Sequence, residues 1–195
     1  MEITTNQIKE LRDKTGISVM QCKKALEEAG GDMEKAILVL QKNSKATALK
    51  KMERNLGSGV VASYIHSTGG VGVIVELLCE TDFVAKNEDF KKLAYDIAMH
   101  IAATDPQYLS ADDISPEIKK ATTEVFVDDV KGKPEDLKAK ILEGKLSSYF
   151  AERTLLDQPY IKNPEMTIRG LVEGAVQRFG EKTEIGRFAR FSIKK

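Results

Sequence analysis

Tryptophan is absent from this chain, and all aromatics together make up only 6% of it. A core drawn from these 195 residues must therefore be mostly aliphatic. Net charge is also lacking. Thirty Lys and Arg are balanced by 30 Asp and Glu, which removes any overall attraction to nucleic acid or an anionic membrane and leaves only local patches. No apolar run approaches the ~20 residues that a membrane-spanning helix needs. The opening Met1-Glu2-Ile3-Thr4-Thr5 has neither the basic nor the apolar region of a secretory signal, so a cytoplasmic chain is expected. Cysteine is confined to Cys22 and Cys79, too few for a zinc framework; both thiols are expected to be reduced and half-buried. What remains is ordinary globular composition, enough for one domain or two small ones.

Periodicity divides the chain into 1–43, 44–58 and 59–195. The first part reads as three short helices. Thr4-x-x-Gln7 and Ser18-x-x-Gln21 are capping-box patterns, and Asp32 suits the cap of a third helix. Gly16 and Gly30-Gly31 supply the stops. Leu11, Cys22, Ala25, Leu26, Ala36 and Leu40 fall at core spacing. The middle part carries Lys42, Lys45, Lys50, Lys51 and Arg54 against Glu53 alone, and closes on Gly57-Ser58-Gly59. It reads either as a basic contact for phosphate or RNA, or as a solvated tether that is partly helical over 46–54. The tether is favoured, because aromatics and a second basic segment are missing.

The third part opens with a β-hairpin, Val60 to His66 and Val71 to Cys79, turning at Thr68-Gly69-Gly70. Both faces of these strands are rich in apolar residues, so both require cover. A helix follows over 88–104, with Phe90, Leu93, Ala94, Ile97, Ala98 and Ile101 on one stripe. Further helices are expected over 116–130 and 134–150, separated by Gly132, then a loop over 151–164 and a helix over 167–179. Ile185 to Ile193 reads as a strand that pairs with the hairpin. The fold class is α+β: a small three-helix amino-terminal domain, then a three-stranded antiparallel sheet backed by helices.

Enzyme chemistry finds no support. Gly57-Ser58-Gly59 lacks the Lys-Ser/Thr ending of a phosphate loop, and His66 and His100 stand in no metal-binding pattern. A Cys79–His100 nucleophile and base is the rarer case; a buried strand cysteine beside an unrelated histidine is the commoner one. Glu80 and Asp82 share no pocket signal. One segment is unusual: Glu80-Thr81-Asp82-Phe83-Val84 places apolar bulk in a short connection between strand and helix. Phe83 either folds onto the core or protrudes as a wedge that enters a partner.

Several stretches resemble the bacterial elongation factor Ts family: Ile8-Lys9-Glu10-Leu11-Arg12, Thr15-Gly16, Cys22-Lys23-Lys24-Ala25-Leu26, Thr81-Asp82-Phe83-Val84-Ala85-Lys86-Asn87 and Ile97-Ala98-Met99-His100-Ile101-Ala102-Ala103. Gly132-Lys133-Pro134, Gln158-Pro159-Tyr160 and Arg187-Phe188-Ala189-Arg190-Phe191 agree as well. The resemblance implies a ubiquitin-associated-like (UBA-like) helical domain, an α/β dimerisation domain, and guanine-nucleotide exchange on elongation factor Tu without covalent chemistry or a cofactor. It implies that Thr81, Asp82, Phe83 and Val84 dislocate Mg²⁺ from the GTPase, with Asp82 and Phe83 intruding. It implies partner contacts by Arg12, Val19, Met20, Lys23 and His100; helical geometry puts His100 about 90° off the apolar stripe, on a flank rather than in the core. Long family members carry two α/β subdomains where this chain offers one, so a homodimer through the sheet is expected, with no membrane or nucleic-acid partner. A protein- or RNA-binding module without exchange activity is the alternative.

Overall fold

The computed structural model describes residues 3–130 and 134–193, apart from the side chains of residues 135 and 136. The expected separator Gly132, with Lys133 of the Gly-Lys-Pro match, lies outside the described residues. Helices α1 (Thr5–Thr15), α2 (Val19–Glu28) and α3 (Met33–Lys50) come first. Thr4, Ser18 and Asp32 cap them as their positions imply. Gly16 ends α1 at φ +69°, a conformation that costs a residue with Cβ far more. Leu11, Ile17, Cys22, Ala25, Leu26, Ala36 and Leu40 form one apolar cluster.

The composition change near residue 44 does not end the third helix. α3 continues to Lys50, and Ser44 is buried, with its hydroxyl bonded to Gln177. Residues 44–50 are therefore a helix packed on the second part of the protein, not a free tether. The stripe Ala36, Leu40, Ser44 turns inward at four-residue spacing, while the lysines occupy the solvent side.

Strands β1 (Ser58–Ile65), β2 (Val71–Cys79) and β5 (Thr183–Ser192) make an antiparallel sheet in the order β1-β2-β5. Helix α5 (Glu88–Thr104) covers its inner face, where Val73, Val75, Leu77 and Cys79 meet Phe90, Ala94, Ile97 and Ile101 in the main core. Between β2 and α5 lies a one-turn helix, α4 (Asp82–Ala85). Helices α6 (Pro116–Val127) and α7 (Glu135–Arg153) lie against each other, and α8 (Ile168–Phe179) returns the chain to β5. The expected helix over 116–130 stops at Val127 and finishes in a 3-10 turn. The expected loop over 151–164 holds a small hairpin, β3 (Pro159–Tyr160) with β4 (Asn163–Thr167). Both cysteines are free and fully buried rather than half-buried. Among the described residues no helix is long and apolar enough to cross a membrane.

Candidate functional site

Strand β2 ends at Cys79, and the chain must then turn into α5 within eight residues. Thr81 makes the turn. Its hydroxyl accepts from Val84 N (3.4 Å) and caps α4. Val84 and Ala85 point into the main core and fix the turn from below. That leaves Asp82 and Phe83 on the outer side. Phe83 is 80% exposed, so the inward reading of this aromatic is excluded. Asp82 is also exposed and pairs with Lys86 (2.6 Å), whose ammonium holds the carboxyl below its ordinary value. Thr81 and Val84 therefore anchor the corner, and Asp82 and Phe83 are presented by it. Val84 is buried beneath the corner.

The base of the corner is tied across the sheet. Glu80 accepts from Lys182 N (2.6 Å), which lowers its pKa first, and from Arg54 (3.2 Å). Lys51 donates to Gly180 O. Two of the basic residues once open to phosphate are thus committed to the protein itself.

Arg12, Val19, Met20 and Lys23 are all exposed around the α1–α2 corner, Met20 to 70%. Lys23 is loosely paired with Glu27 (3.8 Å). Arg178, at the end of α8, joins this corner to the other. Its guanidinium lies 3.3 Å from where a Cβ on Gly16 would stand, and it also pairs with Asp89 in the first turn of α5. The two surfaces therefore flank the same end of α8.

His100 departs from expectation. It is fully buried, not on a solvent flank. Ile161 N donates to its Nδ1 (3.4 Å), so the proton sits on Nε2, which donates to Gln158 Oε1 (2.9 Å). Gln158 in turn donates to Glu152 O (2.6 Å). Burial pushes the ring's pKa down, opposed in part by Gln158. The residues that cover His100 lie more than fifty positions further along the chain, so helical periodicity had no access to them. His100 ties α5 to the 158–161 segment and touches no surface. The Cys79–His100 pair fails as well: Cys79 donates to Thr81 O (3.2 Å), and burial, then Glu181, pushes its thiol pKa up.

Comparison with known proteins gives a consistent result. The family model described as "Elongation factor TS" matches residues 2–195. The Elongation factor Ts of Thermodesulfovibrio yellowstonii is 50% identical over 194 residues, 99% of this chain and 97% of that protein. That of Thermosipho melanesiensis is 44% identical over 193 residues, 98% of both. That of Nitratidesulfovibrio vulgaris is 45% identical over 195 residues, 99% of this chain and 98% of that protein.

Proposed function

The chain belongs to the elongation factor Ts family, and from that premise we propose that it is a guanine-nucleotide exchange factor that binds elongation factor Tu·GDP, displaces Mg²⁺ and releases GDP. The observation that carries this reading is the exposed Asp82-Phe83 pair, held out by an anchored turn. Burial of the Cys79 thiol and the His100 ring argues against bond-making chemistry at those groups.

A tightly held nucleotide owes its affinity to backbone amides and Mg²⁺ around its phosphates. An exchange factor makes and breaks no covalent bond. It binds the nucleotide-free GTPase better than the loaded form, and by linkage the nucleotide weakens the factor by the same ratio. Burying Phe83 in the partner contributes ~1.5–3 kcal/mol. At ~1.4 kcal/mol per decade this is about one to two decades. The remainder must come from Asp82, which brings a carboxylate near the Mg²⁺ site, and from Arg12, Val19, Met20 and Lys23, which grip the GTPase domain. His100 acts in this scheme by stiffening the scaffold.

Phe83→Ala is expected to slow stimulated release of fluorescent GDP by about one to two decades while largely sparing complex formation with GDP-loaded elongation factor Tu. Equal loss of binding and release would make Phe83 an anchor and sink the wedge.

The second element of the proposal is a homodimer. The outer face of the sheet carries Val61, Ile65, Ile74, Phe191 and Ile193, all exposed, around a Glu76–Arg187 pair (2.7 Å). Helix α5 covers only the opposite face. A second copy places an identical patch against this one and covers both.

A further inference from the structure

We propose that Glu181 is a positioning residue for the exchange step: it fixes the base of the α4 corner so that Asp82 and Phe83 are presented in one orientation before a partner arrives. The inference rests on the exchange reading above.

The β2–β5 ladder ends where Cys79 faces Thr183. Beyond that pair, the amides of Glu80, Thr81 and Lys182 have no strand to bond to. Two carboxylates take over. Glu181 Oε2 accepts from Glu80 N (3.1 Å) and Thr81 N (3.0 Å), and its Oε1 accepts from the Thr81 hydroxyl (2.6 Å). Glu80 Oε1 accepts from Lys182 N in return. Each acid thus satisfies backbone donors of the other's segment, as an extension of the sheet made by side chains. A carboxylate suits this place because its two oxygens offer about four acceptor sites and its charge strengthens each bond. Gly180 aims it: at φ +72° it ends α8 and turns the chain back over the end of β2.

The hold reaches the wedge through Thr81, by its amide and its hydroxyl. The Thr81 hydroxyl gives its proton to Glu181 and uses a lone pair to accept from Val84 N, the first turn of α4. A four-residue helix does not sustain itself. Phe83, almost wholly exposed, has little packing of its own to fix its direction. Its orientation is therefore set by Val84 and Ala85, packed in the core below it, and by Thr81, which Glu181 holds. Without Glu181 the corner would have to be ordered at the moment of binding, at the expense of the exchange step.

Release of fluorescent GDP from elongation factor Tu, driven by the full chain, tests this. Glu181→Ala is expected to lower the rate at saturating factor about tenfold, with affinity for the GDP-loaded GTPase within about threefold. Glu181→Gln should restore the rate. Its amide oxygen still accepts the two N–H groups, and its NH₂ meets a Thr81 hydroxyl that can rotate. In a Phe83→Ala background, Glu181→Ala should cost less than it does in the wild type, because only Asp82 is left to position. Amide hydrogen exchange should show lost protection at Thr81 with the α5 amides unchanged. Should Glu181→Ala fail to fold, Glu181→Asp, whose shorter arm cannot span all three donors, serves the same comparison. A Glu181→Ala protein as fast as wild type, beside a slow Phe83→Ala, overturns the positioning role and leaves the wedge standing. A full multiplicative effect in the Phe83→Ala background overturns it too, by placing Glu181's action elsewhere. A Phe83→Ala protein as fast as wild type removes the wedge itself, and this inference with it.

Discussion

A histidine shut away from water prefers its neutral form, and His100 is one. Protonation would put a second N–H on Nδ1, where Ile161 N already donates. The folded ring's pKa lies below the ordinary histidine value because of burial. The unfolded chain therefore takes up this proton more readily. Stability from His100 is full above about pH 6.5 and falls as the pH drops below it, by at most about 1.4 kcal/mol per unit. The urea midpoint should thus decrease from pH 7.5 to 5, and His100→Gln should flatten that slope. An unchanged slope would mean that other groups carry the acid sensitivity. Burial favours the neutral form of the neighbouring Tyr160 too, but at the alkaline end: burial, then Asp96, pushes its pKa up to about 12, so it adds nothing to the acid slope. At this scale the sequence marked Thr81–Val84 as unusual and left the direction of Phe83 open, while Arg12, Val19, Met20 and Lys23 came from the family resemblance alone. The sequence was not legible for His100 or Glu181, whose partners come from distant segments.

Among the elements, α3 is the instructive one. Lysines 42, 45, 50 and 51 look like the start of a linker, yet Lys, Ala, Leu and Gln are all good helix formers. A mid-helix charge run is a solvated face when the opposite face is buried, and here α8 buries it. A proline distinguishes the two cases. Ala46→Pro removes a helical N–H bond and clashes with the preceding turn, at a cost of about 3 kcal/mol or more. A urea melt of this variant should show that loss, whereas a tether would leave the midpoint where it was. The β3–β4 hairpin escaped notice for a different reason. Pro159 and Pro164 mark a loop in most settings, and a two-residue strand leaves no alternation to read.

For the whole molecule, the open question posed by the fold is its uncovered sheet face. A single copy leaves Phe191 69% exposed on the same face as Ile65 and Ile74. A protein pairing through this face should sediment as a dimer across the micromolar range, and Phe191→Lys should sediment near 21.6 kDa without loss of helical signal. A wild-type chain that stays at 21.6 kDa over that range would end the dimer proposal.

Local physics explains what the residues alone determined: the three capped amino-terminal helices, the hairpin, the α5 stripe and the odd Thr81–Val84 segment. Capping, turn chemistry and hydrophobic period act within a few positions of each other, so they can be read in order along the chain. The tertiary structure decided which way Phe83 points, that His100 is sealed, that α3 runs on to meet α8, and that Glu181 grips the corner 100 residues before it. These outcomes depend on contacts between segments far apart in sequence. Such contacts form only when the sheet closes and brings the end of β2 beside the start of β5.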